Sequence, residues 1–117
     1  MADAKAPKMI ENIIPILNVK DLSQSVEYYE KTLGFSTKWG VDGFACVVRD
    51  GWDLYLSEGD QGQSGMWLWM GLEDIDLMYQ ECQSRGATIT SELNTYDWGR
   101  EFRIEDPDGH IIRFGGY

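Results

Sequence analysis

The sequence predicts an α+β fold made of two β-α-β-β-β modules. An internal repeat indicates the two modules: Val19-Lys20-Asp21-Leu22 matches Leu72-Glu73-Asp74-Ile75, and residues at helical spacing follow both segments. Near the C-terminus, apolar residues alternate with polar ones on both sides of the turn Asp106-Pro107-Asp108-Gly109, which is typical of a half-buried hairpin. Neither module has enough apolar surface to stand alone, so each must cover its sheet with the other module or with a second chain.

The first module starts with a short strand and a capped helix. Residues 13–19 are apolar, and Pro15 among them indicates a strand that pairs on one side only. Asp21 caps the helix with Gln24 in a capping box, and Gly34 ends it. Three strands are expected next, at residues 35–39, 44–49 and 52–57, with a turn at 41–43 and a hairpin turn at Asp50-Gly51.

A polar, glycine-rich link at residues 58–65 leads to the second module. Residues 66–72 form a strand, Asp74 caps the second helix and Gly86 ends it. Residues 87–90 are expected as a strand and residues 91–97 as a loop. The hairpin then starts at Trp98, whose ring is either a core plug or a wall of a ligand crevice.

The length of 117 residues fits one domain, residues 1–117, with module one at about 10–58 and module two at about 65–117. The formal net charge of −10 disfavours nucleic acid and anionic membrane surfaces as partners, because both need a basic face. A cationic ligand would be attracted, although the charge also fits a role in solubility alone.

Cys46 and Cys82 lie in apolar segments, which favours buried, reduced thiols. Residues 1–8 lack the apolar core of a signal peptide, and no apolar run is long enough to span a bilayer. We therefore expect a cytoplasmic protein with a frayed N-terminus.

The residue types of common catalytic centres are sparse. His110 is the single histidine, and for it we favour a local hydrogen bond beside the turn. Asp21 and Asp74 act as helix caps, while the other notable aspartates serve the turn. No metal-ligand cluster, phosphate loop or nucleophile elbow is present, so neither a catalytic residue nor a cofactor is expected.

The five tryptophans carry more information. Trp39 ends a predicted strand and Trp98 starts one, both beside glycines and without the apolar flanks of a core position. Exposed indoles of this kind suit stacking on a planar, cationic ligand. Trp67 and Trp69 are equally well explained by packing between modules or protomers and by ligand contact.

Several segments together resemble the glyoxalase/bleomycin-resistance/extradiol-dioxygenase superfamily, also called vicinal oxygen chelate. They are the segment from Ile14 to Asp21, the pair Tyr28-Tyr29, the triplet Leu33-Gly34-Phe35, the run from Gly43 to Asp50, and Trp98-Gly99-Arg100-Glu101-Phe102 with the turn that follows. The last two resemble the bleomycin-binding branch in particular.

The resemblance implies paired βαβββ modules with mixed curved sheets that form a crevice, and a domain-swapped homodimer that exchanges its first strand. The superfamily's enzymes carry metal ligands on four strands. Here those places hold Ile14 or Pro15, Leu54 or Tyr55, Met66 or Trp67, and Arg113, so no metal site is expected.

The resemblance also implies a ligand site. Trp98 falls on one position of the aromatic clamp of the bleomycin-binding branch, and Trp39 on the other, donated by the partner chain. Four residues fall on further crevice positions: Phe35, Ser57, Trp67 and Gly109. The implied function is antibiotic resistance through sequestration of a bleomycin-type drug, free or copper-loaded, without catalysis. Alternatives are a metal-dependent lyase or dioxygenase and a binder of another planar aromatic molecule.

Overall fold

The computed structural model describes residues 6–117. Its elements follow the order β-α-β-β-β twice. They are β1 (Ile16–Asn18), α1 (Leu22–Lys31), β2 (Ser36–Val41), β3 (Phe44–Arg49), β4 (Trp52–Ser57), β5 (Trp67–Gly71), α2 (Ile75–Ser84), β6 (Thr88–Tyr96), β7 (Gly99–Glu105) and β8 (Ile111–Gly116). The α+β class and the repeated element order predicted from the sequence are confirmed.

Two four-stranded mixed sheets form the frame. The N-terminal sheet has the strand order β1-β4-β3-β2 and the C-terminal sheet the order β5-β8-β7-β6. In each sheet the strand before the helix pairs in parallel with the last strand of the same half, and the other pairs are antiparallel. The two halves therefore share one topology, as the internal repeat predicts.

The helices begin and end where the sequence indicates. The Asp21 carboxylate accepts a hydrogen bond from the Gln24 backbone N–H (3.1 Å), and Asp74 accepts one from Leu77 in the same way (3.0 Å). Gly34 and Gly86 follow the two helices with φ of 73° and 79°, a conformation that favours glycine. Local sequence therefore sets where both helices begin and end.

The helix-facing sides of both sheets contribute to one core. Leu17, Val47, Leu54 and Leu56 come from the N-terminal sheet, and Phe102, Ile104, Ile112 and Phe114 from the C-terminal sheet. Both thiols are free and buried, as predicted, and burial raises the pKa of Cys82 to about 11. The side of each sheet that faces away from the helices is called its open face below.

The turn between β7 and β8 joins the two halves. The Tyr29 hydroxyl donates to the Asp106 carboxylate (2.6 Å), and burial together with that carboxylate raises the Tyr29 pKa well above its usual value. The Ser25 hydroxyl donates to Asp108 (2.6 Å). These side chains fix α1 of the first half to the turn of the second.

His110 is fully buried. The predicted local hydrogen bonding beside the turn is present at its backbone, and its ring makes further, long-range contacts. The Met66 backbone N–H donates to Nδ1 (3.0 Å), which leaves the proton on Nε2. Nε2 then donates to the Asn18 carbonyl (2.6 Å). The His110 backbone bonds locally: its N–H donates to the Asp106 carboxylate, and its carbonyl accepts from the Asp106 backbone N–H. The ring is a structural bridge between β1 and the start of β5.

The prediction of a loop at residues 91–97 is wrong, because β6 continues to Tyr96. The segment 91–95 is polar, and β6 is an edge strand with register shifts after Ile89 and after Ser91. These shifts break the strict alternation by which a strand is recognised in sequence. Strand β2 also runs two residues beyond its predicted end, to Val41.

Strand β1 is an edge strand, as predicted, and it pairs with β4 of its own chain. It is shorter than the predicted segment 13–19, and Pro15 lies just before its first residue. The Asn18 side chain donates to the carbonyls of Gly59 (2.8 Å) and Gln61 (3.1 Å), which holds the glycine-rich link against β1. The predicted fraying of the N-terminus falls partly on residues 1–5, outside the described residues. No helix in the described part of the chain is long and apolar enough to cross a membrane.

Candidate functional site

Two groups of aromatic side chains lie on the open faces. The N-terminal aromatic group consists of Trp39, Phe44 and Tyr55, and the C-terminal aromatic group of Trp67, Trp69, Tyr96 and Trp98. Residues that are paired across strands or two apart along one strand share a face, which places these rings opposite the core residues. The protein therefore has two groups of aromatic rings that lie outside its hydrophobic core.

In the N-terminal aromatic group, the Trp39 indole stacks on Phe44, with ring centroids 5.9 Å apart and an interplanar angle of 13°. Tyr55 supports it at 5.4 Å. The Trp39 side chain is nevertheless 40% exposed. One surface of the indole is held by its own chain, which leaves the ring accessible to a further planar group.

The C-terminal aromatic group is larger and more exposed. Trp98, in the turn between β6 and β7, stacks on Tyr96 with centroids 5.7 Å apart and planes within 1°. It also touches Trp69 at 5.6 Å. Trp98 is 46% exposed, so it is not a core plug, and Trp67 and Trp69 are both more than half exposed. The open face of the C-terminal sheet therefore presents three exposed tryptophan side chains.

Beneath the exposed indoles lies a charged network. Glu101 is 4% exposed and accepts hydrogen bonds from Arg113 (Nε at 2.8 Å, Nη2 at 2.7 Å) and from Arg103 Nε (2.8 Å). The Arg103 guanidinium lies 5.3 Å from the Trp67 ring centroid, and that of Arg113 lies 5.2 Å from Trp69. Such cation–π contacts hold the arginine and indole side chains in fixed positions.

The two guanidinium groups lower the pKa of Glu101 to about 2, with the Arg113 hydrogen bond as the largest cause. A carboxylate with so low a pKa is a weak proton acceptor at neutral pH. Its role here is to hold Arg103 and Arg113 in place.

A cavity of about 300 Å³ opens beside the C-terminal aromatic group, between Trp69, Trp98, Gly115 and Tyr117. The Trp69 indole lies so close above Gly115 that a Cβ at this position would overlap the ring. Glycine at position 115 therefore lets the indole lie flat against β8. A larger cavity of about 490 Å³ lies elsewhere, over α1 and Pro107, and has a single aromatic side chain, Tyr28, in its lining.

The structure brings some sequence-predicted site residues together and separates others. Trp67 and Trp98 share the open face of the C-terminal sheet, linked through Trp69. Trp39 lies on the other sheet, where Ser57 is a buried neighbour of Phe44 across the strands. Two further predicted residues lie apart from both aromatic groups. Phe35 packs in the core against Tyr29 (5.7 Å), and Gly109 lies in the β7–β8 turn with φ of 81°.

The family comparison covers nearly the whole chain. Residues 10–114 match the profile described as the glyoxalase/bleomycin resistance protein/dioxygenase superfamily. The chain belongs to this superfamily. Its name joins enzymes with non-enzymatic resistance proteins, so membership by itself fixes neither role. No match was found among the curated proteins.

Several solved structures share the fold. A bleomycin-binding protein from the bleomycin producer Streptomyces verticillus, complexed with copper(II)-bleomycin, superposes with a TM-score of 0.75 at 24% identity, over 93% of this chain and 99% of that one. An antibiotic-binding protein from a Streptomyces species gives a TM-score of 0.79 at 22% identity, over 94% and 98%. A superfamily protein from Alicyclobacillus acidocaldarius gives 0.78 at 17% identity, over 92% and 95%.

The resemblance places the superfamily's metal ligands at Ile14 or Pro15, Leu54 or Tyr55, Met66 or Trp67, and Arg113. In the structure Tyr55, Trp67 and Arg113 belong to the aromatic groups and the arginine network, and Leu54 lies in the core. Among residues 6–117, no three His, Cys, Asp or Glu side chains converge as a metal-binding set would.

Sequence reasoning missed Tyr96 and the pairing of Arg103 with Glu101. Tyr96 lies inside the segment that was predicted as a loop. Its position two residues before Trp98 therefore did not indicate that the two rings would stack. The arginine and the glutamate were recoverable from the sequence, because Glu101 and Arg103 alternate with Phe102 and Ile104 and so must point to the open face.

Proposed function

We propose that this protein binds and sequesters a planar aromatic antibiotic of the bleomycin type, without modifying it chemically. Trp98 of one protomer and Trp39 of its partner would close over the flat part of the ligand in a homodimer. The ligand would be held away from DNA in the cytoplasm, and no bond would be formed or broken.

The observation that carries the proposal is the state of Trp98. Its indole is fixed on one surface by Tyr96 and is 46% exposed, beside a cavity of about 300 Å³. A ring held in place before binding loses little conformational entropy when a planar ligand stacks on it. Two superfamily members with the same fold are described as binding bleomycin or an antibiotic, which supports this class of ligand.

The uncovered aromatic surface supports the proposed homodimer. Trp39 and Trp98 lie in separate aromatic groups on different sheets, so the two rings of a clamp would come from two chains. Clusters of exposed apolar side chains mark interaction surfaces. The segment before β1 also leaves Met9, Ile10 and Ile13 exposed by 93%, 66% and 81%. We propose that this segment, with the edge strand β1, packs on the partner.

The charge of the chain suits a drug with a cationic tail. The net charge of −10 attracts cations over distances of about a Debye length, roughly 10 Å at moderate salt. Stacking would hold the planar part, and the acidic field would draw the tail. Sequestration requires binding affinity and no catalysis. A site made of indoles and structural ion pairs matches this requirement.

The experiment is a titration of the protein with copper-loaded bleomycin, followed by tryptophan fluorescence. We expect saturable quenching with two drug molecules per dimer. An unchanged signal at high micromolar drug would contradict bleomycin as the ligand. The same titration with other planar aromatic antibiotics would then test the alternative, a binder of a different flat molecule.

A further inference from the structure

We infer that Arg103 and Arg113 form a subsite for the carboxylate of a planar aromatic acid. The subsite would lie on the open face of the C-terminal sheet, beside the Trp98 stack. The inference rests on the proposed function only in that the same open face receives the ligand. For a ligand that carries a carboxylate, it adds a contact that stacking alone does not provide.

The positive charge in the network is not fully neutralised. Arg103 and Arg113 lie directly opposite each other on β7 and β8, an arrangement that is unfavourable for like charges. The Glu101 carboxylate bonds both guanidinium groups but carries one negative charge against their two positive charges. A second carboxylate would complete the neutralisation.

Hydrogen-bond donors remain on both guanidinium groups. Arg103 reaches Glu101 through Nε, and Arg113 through Nε and Nη2. Within residues 6–117, the terminal nitrogens of Arg103 and Nη1 of Arg113 have no acceptor. Both side chains are 37% exposed, so a ligand oxygen can reach them. A guanidinium fork matches a carboxylate in geometry and charge.

The neighbouring indoles determine that the acid should be aromatic. Trp67 is 56% exposed and Trp69 is 52% exposed, and each stands beside one of the two guanidinium groups. Each guanidinium lies over one face of its indole, so a flat ring stacked on the other face would place a carboxylate near the arginine when that carboxylate extends past the edge of the indole. Elsewhere the chain is strongly acidic, so a polyanion would be repelled while a single carboxylate at this point would be accepted.

The test compares 2-naphthoate with neutral 2-naphthamide, which share the same rings. Binding to the full-length protein is followed by tryptophan fluorescence. We expect wild type to bind the acid about tenfold more tightly than the amide or better, because only the acid can form charge-assisted hydrogen bonds with the guanidinium groups. Equal affinity for the two probes, or no binding of the acid, would overturn the inference.

Variants separate the subsite from general charge effects. Arg103→Gln should lose the preference for the acid, and Arg103→Lys should keep part of it. Arg85→Gln, which removes one guanidinium at the end of α2, should leave it unchanged. The same preference in Arg103→Gln as in wild type would overturn the inference, and thermal melting checks that each variant is folded. If the wild-type protein preferred the acid but did not bind copper-loaded bleomycin, only the proposed drug would be contradicted, and the carboxylate subsite would stand.

Discussion

The ring of Tyr96 lies parallel to the Trp98 indole, with centroids 5.7 Å apart and an angle of 1° between the planes. The two residues end β6 and precede β7, so a tight turn holds both rings in one stack. The pair gives Trp98 a fixed orientation before any ligand arrives. Preorganisation of this kind raises affinity by lowering the entropy lost on binding.

Replacing Trp98 with alanine should weaken ligand binding by about 1–3 kcal/mol, the range found for stacking of a base on an aromatic ring. Because the indole is nearly half exposed, the fold should be retained. Calorimetric titration and thermal melting measure the two effects. The matched control is Trp52→Ala, since Trp52 is 77% exposed and lies outside both aromatic groups. Unfolding of Trp98→Ala would show instead that this ring supports the core.

Tyr96 should act on binding through the orientation of Trp98. Tyr96→Ala removes the backing ring and should cost about 0.5–1.5 kcal/mol of ligand affinity, the usual strength of an aromatic pair. Tyr96→Phe keeps the stack and should bind nearly as wild type does. If both variants bound equally well, the backing role of the ring would be refuted. Ligand titrations of both variants and of wild type, at the same protein concentration, measure the affinities to be compared.

Gly115→Ala should displace the Trp69 indole. A Cβ at this position overlaps the ring, and an exposed side chain can rotate away more readily than the backbone can shift. We expect a folded protein with altered tryptophan fluorescence and reduced ligand affinity. Near-ultraviolet circular dichroism and titration are the measurements. An unchanged indole signal would mean that Trp69 does not lie over Gly115 in solution.

Glu101 should make stability depend on acid pH. Its pKa is about 2 in the folded protein and 4.5 when unperturbed, so the unfolded state binds a proton first as the pH falls. Its contribution is therefore present above about pH 4.5 and is lost as the pH approaches 2, with an upper size on the order of 3 kcal/mol.

Glu101→Gln should lack this part of the acid transition. Urea unfolding of wild type and variant at several pH values between 2 and 6 gives the difference. Because Glu81 and Asp76 also have lowered pKa values, wild type and Glu101→Gln will share part of the transition. Two curves that run parallel over the whole range would show that Glu101 does not titrate as described.

The sequence predicted the fold well because the decisive signals are local. Caps at Asp21 and Asp74, and positive-φ glycines after both helices, need no tertiary information. The end of β6 could not be predicted, since Ser91 and Asn94 sit at register shifts that only the partner strand defines. The ring contacts of His110 could not be predicted for a similar reason: their partners, Asn18 and Met66, are remote in sequence.

The candidate site was predicted in part. The exposure of Trp39 and Trp98 followed from their polar, glycine-rich neighbours. Their backing by Phe44 and Tyr96 did not follow, because which rings stack depends on strand register. Phe35, which the family resemblance placed in the crevice, packs in the core against Tyr29, a contact that depends on the tertiary fold.

The central claim is that each ligand lies between Trp39 of one protomer and Trp98 of the other. Mixing the Trp39→Ala and Trp98→Ala proteins, after subunit exchange, tests it most directly. A mixed dimer would then hold one site that retains both indoles and one that has neither. We predict that calorimetric titration of the mixture with copper-loaded bleomycin recovers a wild-type affinity that neither parent shows. If the mixture bound only as weakly as its parents, a clamp shared between two chains would be contradicted.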